Sequence, residues 1–345
     1  MPPIEPFGGR VRPDWLERLP KVELHLHLEG AIPHPALWEL IRKYGGDPLV
    51  SGPADLPARF RYRNFPEFIE KWVWKQGFLR EYDDFELISR AVAADLARQR
   101  IWYAEVHFSP TDVSRHGLEV QEVALAVRRG LAGVPDVVVA LIADLVRDTG
   151  PETAARTLEK VAEVAARAGV LGVGLGGSEQ LYPPEPFAPV YERARELGLR
   201  TTAHAGEVAG PESIWGAIRV LRVDRIDHGT RAADDPSLMA YLAERRLPVT
   251  SCPGSNLATG AVGAIELHPI RQFVDAGVLV SVSTDDPAMF GLSLAGEMAS
   301  LQTRLGFTDV EVRQLVLNAV ESCWLPPSRK AALHARIVSD PAWQG

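Results

Sequence analysis

Short apolar runs rich in β-branched residues alternate along this chain with longer stretches whose apolar positions recur at helical spacing. The runs predict strands over 22–28, 102–109, 137–145, 170–175, 200–204, 225–228, 248–252 and 278–284. Between them, 85–98, 120–131, 152–168, 189–197, 214–221, 238–245 and 270–276 carry Ala, Leu, Arg and Glu in helical order. Gly169, Gly198 and Gly277 directly follow three of these helices, where a helix end favours a left-handed residue. Strand alternating with helix in this way predicts an α/β fold, a (β/α)₈ TIM barrel. A doubly wound sheet is the rival, but no G-x-G-x-x-G follows an early strand. Gly172, Gly174, Gly176 and Gly177 open no clear helix, so no phosphate cradle is expected there. Two regions exceed the alternation. Segment 33–100 holds helical pieces at 36–44 and 65–77 before its main helix, and further helices follow Leu292. The expectation is one barrel domain over 1–345, with 33–100 carrying a helical lid on the rim where barrels place their sites. Phe65, Phe68, Trp72 and Trp74 lie in that segment. Ordinary packing accounts for most such aromatics; covering a planar ligand is the alternative.

Composition narrows the function. Hydrophobic residues make up 46% and charged residues 24%, values that exclude a disordered chain. The formal charge of −8 disfavours a nucleic-acid backbone or an anionic membrane as partner and leaves a neutral small molecule. No apolar run approaches the ~20 residues that span a bilayer. Met1 to Arg10 is Pro/Gly-rich and lacks the apolar core of a signal segment. Cys252 and Cys323 are the only cysteines, so neither a disulfide framework nor a Cys₄ zinc site can form. These features together predict a cytoplasmic protein. Nothing in the pattern sets its oligomeric state.

The histidines carry the chemistry. His25 and His27 sit at i and i+2 in VELHLHLEG. On a strand that spacing points both imidazoles to one face, with Leu24, Leu26 and Leu28 on the other. One inward histidine is usually a satisfied core residue. Two at a strand end suit a metal, since neutral imidazoles are good zinc ligands. His204 (TTAHAGE) ends the fifth predicted strand, with Glu207 three residues on. His228 (RIDHGT) ends the sixth, and Asp285 and Asp286 (STDDP) end the eighth. A barrel builds its site at these C-terminal strand ends. Asp-Asp-Pro alone is equally explained by turn and capping chemistry; beside histidines at equivalent strand ends, the chemical explanation prevails. His25, His27, His204 and Asp285 form a ligand set for one divalent ion such as Zn²⁺. Such an ion also binds a water and lowers its pKa from 15.7 toward ~7. Glu207, His228 and Asp286 then remain as proton handlers. His34, His107, His116, His268 and His334 are expected to be structural or surface residues, His107 having no partner motif.

The ordered set HLHLEG, HAGE, IDHGT, CPGSN and STDDPAMFG closely resembles the adenosine/adenine deaminase family of the amidohydrolase superfamily, from about Leu19 to beyond Phe290. The resemblance implies one catalytic zinc on His25, His27, His204 and Asp285. It implies that Glu207 protonates N1 of a 6-aminopurine, making C6 electrophilic. His228 and Asp286 would orient the attacking water and stabilise the hydroxyl adding to C6. Asp286 would accept the water proton and aid its passage to the leaving amine. Gly177 matches a glycine whose amide contacts the purine N3, and Glu29 an acid near the sugar end of the pocket. Three departures stand out: Glu29 where Asp is frequent, Gly254 where Thr or Leu is common, and Gly177-Ser178-Glu179 in place of G-D-E. All are expected to bear on substrate fit. The H-x-E and P-C-x-x-C signature of cytidine-type zinc deaminases is absent.

The expected activity is therefore zinc-dependent hydrolytic deamination of a 6-aminopurine nucleoside to the 6-oxo purine and ammonia. Adenine and aminodeoxyfutalosine are alternative substrates. A phosphorylated substrate is disfavoured, since no basic cluster marks the rim. Two rival readings remain. A two-metal hydrolase on the same barrel would need a bridging carboxylate or a carboxylated lysine on the fourth strand, and 170–179 holds no lysine. A non-catalytic purine binder would have lost ligands first, and every one is present.

Overall fold

The structure, a computed structural model, describes residues 14–62, 65–111 and 116–344. The Pro/Gly-rich N-terminal stretch and the side chain of Phe65 lie outside the described residues. The strands are β1 (Lys21–His27), β2 (Ile101–Phe108), β3 (Val138–Val146), β4 (Val170–Gly176), β5 (Arg200–Ala205), β6 (Arg225–His228), β7 (Val249–Ser251) and β8 (Val280–Val282). They pair in parallel, in the order β1 to β8, as in a TIM barrel. The seam between β8 and β1 closes through residues just beyond β8. His27 N–H donates to the Asp285 carbonyl at 2.8 Å, and Asp285 N–H to the His25 carbonyl at 3.1 Å.

Predicted and observed elements agree to within a few residues, with physical reasons for the exceptions. The helix expected over 152–168 is Pro151–Ala162 followed by a separate turn, Ala165–Ala168. That expected over 214–221 is Pro211–Gly216 running into a π-helical turn, Ala217–Leu221. The last strand is shorter than its apolar run. Thr284 leaves the ladder because its N–H and hydroxyl both donate to Glu23 Oε1, at 2.9 and 2.6 Å.

Alternation sorts each strand. Leu24, Leu26 and Leu28 are fully buried between barrel and helices, while the intervening histidines face inward. The barrel interior also holds a buried ion pair, Arg225 Nη1 to Glu105 Oε2 at 2.5 Å, with the guanidinium 4.4 Å over the Trp324 ring. Tyr103 OH adds a hydrogen bond to Glu105 Oε1 at 2.9 Å. Such a pair is tolerable inside only because its lone pairs and protons are used. The region after β1 forms the helices His34–Lys43, Phe65–Gln76 and Tyr82–Arg98. Beyond β8, helix Asp309–Ser322 starts at a Thr308/Glu311 capping box and packs on β8 and β1. No helix among the described residues is long and apolar enough to cross a membrane.

Candidate active site

Strand ends bring His25, His27, His204 and Asp285 together although 260 residues separate the first from the last. His27 Nε2 lies 3.1 Å from His204 Nε2 and 3.3 Å from Asp285 Oδ1, and His25 Nε2 lies 3.2 Å from the same oxygen. A tetrahedral ion with bonds of about 2.0–2.1 Å holds its ligand atoms roughly 3.3 Å apart. The set fits such an ion without rearrangement, and the buried His25 Nε2 has no other partner. The outward atoms are already held, as ligands to a metal require. His25 Nδ1 is 3.2 Å from Thr250 Oγ1, and that hydroxyl donates to Asp227 Oδ1 at 2.8 Å. Ser255 Oγ donates to Asp285 Oδ2 at 2.5 Å, leaving Oδ1 toward the imidazoles.

His228 and Asp285 both adopt φ of 65°, a left-handed conformation that side chains other than glycine rarely take. At Asp285 the two hydrogen bonds to β1 hold the backbone there. Such conformations persist where the surroundings over-determine them. Asp286 begins the short helix Pro287–Phe290, yet its side chain makes no capping hydrogen bond. Its carboxylate instead lies over Gly30, where a Cβ would fall on Oδ1. Capping therefore does not explain the Asp-Asp pair.

Glu207 follows β5 in a tight loop. Glu179 receives four consecutive amides of that loop: Gly206 at 2.5 Å, Glu207 at 3.1 Å, Val208 at 2.8 Å and Ala209 at 3.0 Å. The buried Arg147 ties the same region together, donating to the carbonyls of His204 at 2.7 Å, Leu175 at 3.2 Å and Tyr182 at 2.8 Å.

Burial, then the negative charges of Asp285 and Glu179, push the Glu207 carboxyl up to about 8. It is protonated at neutral pH. Burial and the Asp285 charge raise Asp286 well above the carboxylate range. Burial also pushes Asp285 up, but hydrogen bonding to His25 and the imidazole charges outweigh it and hold Asp285 well below that range. Burial lowers His27 to about 3, His228 to about 4 and His204 well below its usual value, so these rings are neutral. At His25 burial acts in the same direction, but Asp227 and Asp285 prevail and raise it to about 10. A metal on Nε2 must displace that proton.

His27, His204, Glu207, His228, Asp285 and Asp286 face a cavity of about 290 Å³, with His25 buried beneath them. Phe68, Ile69, Trp72 and Val73 form one wall, and Asp148, Gly177 and Ser178 the opposite rim. No lysine or arginine among the described residues lines it. A larger surface groove, about 810 Å³, runs beside helix Tyr82–Arg98 and includes none of the site residues.

The adenosine deaminase family matches residues 20–340. The chain belongs to that family. It is 35% identical over 333 residues to an aminodeoxyfutalosine deaminase of Streptomyces avermitilis, covering 95% of this chain and 93% of the relative. It is also 35% identical over 329 residues to an adenosine deaminase of Shewanella denitrificans, covering 92% and 98%. A crystal structure of a zinc-bound amidohydrolase from Burkholderia ambifaria superposes with a TM-score of 0.87 at 28% identity, covering 97% of this chain and 95% of that one. This member of the adenosine deaminase family is thus a hydrolytic deaminase.

Several placements differ from the sequence reading of this deaminase. His107, expected to be structural or surface, faces into the barrel: its ring centroid is 5.0 Å from those of both His25 and His27, with Asp144 and Asp227 on its two sides. No motif marked it, because its partners come from other strands. Of the two alternatives for His268, structural or surface, the structure takes the first: it is buried and meets Asn256 of CPGSN. Gly254 does not touch the cavity. A Cβ there would strike Glu297 and Leu292, so its glycine answers to packing and not to substrate fit. Glu29 stands behind the wall: its Oε1 accepts Ser109 N–H at 2.9 Å, and its carbonyl accepts Lys75 Nζ at 2.5 Å. Gly177 lines the cavity with φ of 99°, and a Cβ would strike Asp148 Oδ2. Trp74 packs on Phe60 and Phe78 and donates to Asp47, while Phe68 and Trp72 face the cavity.

Proposed function

We propose that this protein is a zinc-dependent deaminase of a 6-aminopurine nucleoside, releasing ammonia and the 6-oxo purine. The observation that carries this reading is geometric: a four-atom metal-ligand set lies at a cavity that Glu207, His228 and Asp286 also line, and burial raises the Glu207 carboxyl. One zinc per chain would be held by His25, His27, His204 and Asp285. Bound there, it supplies Lewis-acid activation that makes a water acidic at neutral pH.

The chain's own residues supply the rest. Glu207 donates its proton to ring N1 as water adds to C6, so the added negative charge never accumulates on the ring. Asp286, raised in basicity by burial and by Asp285 once ionised, takes the water proton and returns it to the amine. The C6–N bond then breaks and ammonia leaves, while the hydroxyl proton of the adduct is given up to restore the Glu207 acid, so that C6=O and N1–H remain on the purine. His228 Nε2, which has no protein hydrogen-bond partner, lies 3.6 Å from Glu207 Oε2 and adjoins the incoming oxygen. The Gly177 main chain is assigned to purine N3, and Glu29 to positioning of the sugar end through Ser109. Helix Phe65–Gln76, within the insertion 33–100, serves as the lid. Trp72, its ring centroid 6.0 Å from that of His27, is placed to cover the purine.

A second reading, aminodeoxyfutalosine as the substrate, draws support from the Streptomyces relative, and the Phe68–Ile69–Trp72–Val73 wall would take an aromatic group. Free adenine is a third candidate, and the cation-free lining disfavours nucleotides. The test is kcat/KM for adenosine, adenine, aminodeoxyfutalosine and an adenosine monophosphate, followed by ultraviolet absorbance. A nucleoside should rank first and the nucleotide last. Turnover of none of them by zinc-loaded protein refutes the proposal.

A further inference from the structure

Behind His228, on the side away from the cavity, runs a line of buried hydrogen bonds whose direction is set by its far end. Ile270 N–H lies 3.2 Å from His268 Nδ1. A backbone amide can only donate, so Nδ1 is the acceptor and the neutral ring carries its proton on Nε2. His268 Nε2 lies 3.1 Å from Asn256 Oδ1 and therefore donates to it. That donation fixes which end of the amide is which, and the Thr230 hydroxyl then donates to the same oxygen at 2.9 Å. The Asn256 Nδ2 end then points at His228 Nδ1, 3.0 Å away, and an amide nitrogen can only donate. His228 Nδ1 is thus the acceptor, and the single proton of the neutral ring sits on Nε2. All the side chains in this line are buried, so water does not compete for the same atoms. His228 Nε2 is the one atom of the line without a protein hydrogen-bond partner, with Glu207 Oε2 3.6 Å away, and His228 lines the cavity.

We infer that Asn256 and His268 are positioning residues that lock His228 as an Nε2–H donor aimed into the cavity. The order Ile270 → His268 → Asn256 → His228 makes the ring a donor to an oxygen and removes it as a general base. The task of accepting the water proton falls to Asp286 alone. The consequence for turnover rests on the deaminase reading; the tautomer does not.

N256D tests the direction of the line. A carboxylate only accepts, so His268 and Thr230 keep their partner while His228 must turn its proton to Nδ1. The sign at Nε2 then reverses from donor to acceptor. In ¹⁵N-histidine-labelled holoenzyme, with His228 assigned from its loss in H228F, the wild type should show protonated Nε2 and bare Nδ1. N256D should show the inverse. Metal content should be unchanged. Against the best aminopurine, kcat should fall about 10²–10³-fold, the scale of losing one donor to a developing oxyanion, with KM little changed. H268Q offers the conservative rescue: its amide oxygen accepts Ile270 N–H and its nitrogen donates to Asn256, so the wild-type tautomer and most of kcat should return relative to H268F. A wild-type His228 protonated on Nδ1 overturns the inference, as does an N256D with inverted signals and undiminished kcat. The labelled spectra need no substrate. An enzyme with the stated tautomer that converts no aminopurine refutes the deaminase reading and leaves the lock intact.

Discussion

A carboxyl group enclosed among other carboxylates and away from water keeps its proton, and Glu207 is such a group. Its acid form persists up to about pH 8. The sign follows directly for the alkaline limb: kcat should fall as pH rises through that value and Glu207 loses its proton, measured as a pH–rate profile with saturating substrate. E207Q should retain full metal content by elemental analysis yet lose on the order of 10²–10⁴ in kcat, the range of a general acid. H25A should do the opposite first, releasing metal, because His25 Nε2 points only at the ligand set. The proton that His25 holds to about 10 without metal must leave on loading. Apparent metal affinity, read by competition with a chelator, should therefore weaken as pH falls. At this scale the sequence was legible wherever a strand end coincided with a motif. His25 and His27 were readable because a strand's period of two puts both on one face. His107, also on a strand, was not, since its meaning comes from Asp144 and Asp227 on neighbouring strands.

Elements convert these residues into a site, and loops after strands do most of the placing. The loop carrying Glu207 has no regular structure of its own; its amides converge on Glu179, which follows β4. E179A would leave those buried donors without their acceptor. Each such loss costs about 1–3 kcal/mol, partly recovered by water. The denaturation midpoint should drop accordingly, and kcat should fall at unchanged metal content. An equally active and stable E179A would show that the loop holds Glu207 by other means. The helices of 33–100 were predicted from spacing alone, and their ends agree closely. What spacing could not tell was which aromatics of one helix face inward. Trp72 and Trp74 stand two positions apart, about 200° around the helix, and one faces the cavity while the other packs on Phe60 and Phe78. Successive positions on a helix point about 100° apart, and only the docking angle of the whole helix decides which side is wet.

For the whole molecule, the seam between β8 and β1 runs through the ligand set itself, since the His25, His27 and Asp285 backbones make its hydrogen bonds. With the proposed metal on these residues, its binding should be coupled to barrel closure. Stripping the metal with a chelator should lower Tm by several degrees, and restoring zinc should recover it, because a ligand at a thousandfold excess over Kd adds about 4 kcal/mol to the native state. A Tm indifferent to metal would contradict the coupling. The chain by itself determined the alternation of strand and helix, hence the barrel, because burying apolar stripes of period two and 3.6 leaves few other packings. It also determined the chemical types at each strand end. Tertiary structure alone decided which of these atoms meet at 3.1–3.3 Å, and which carboxyls burial and neighbouring charge push up. Those outcomes depend on distances between residues remote in sequence and on the exclusion of water from the barrel mouth, and neither is a property of any local segment.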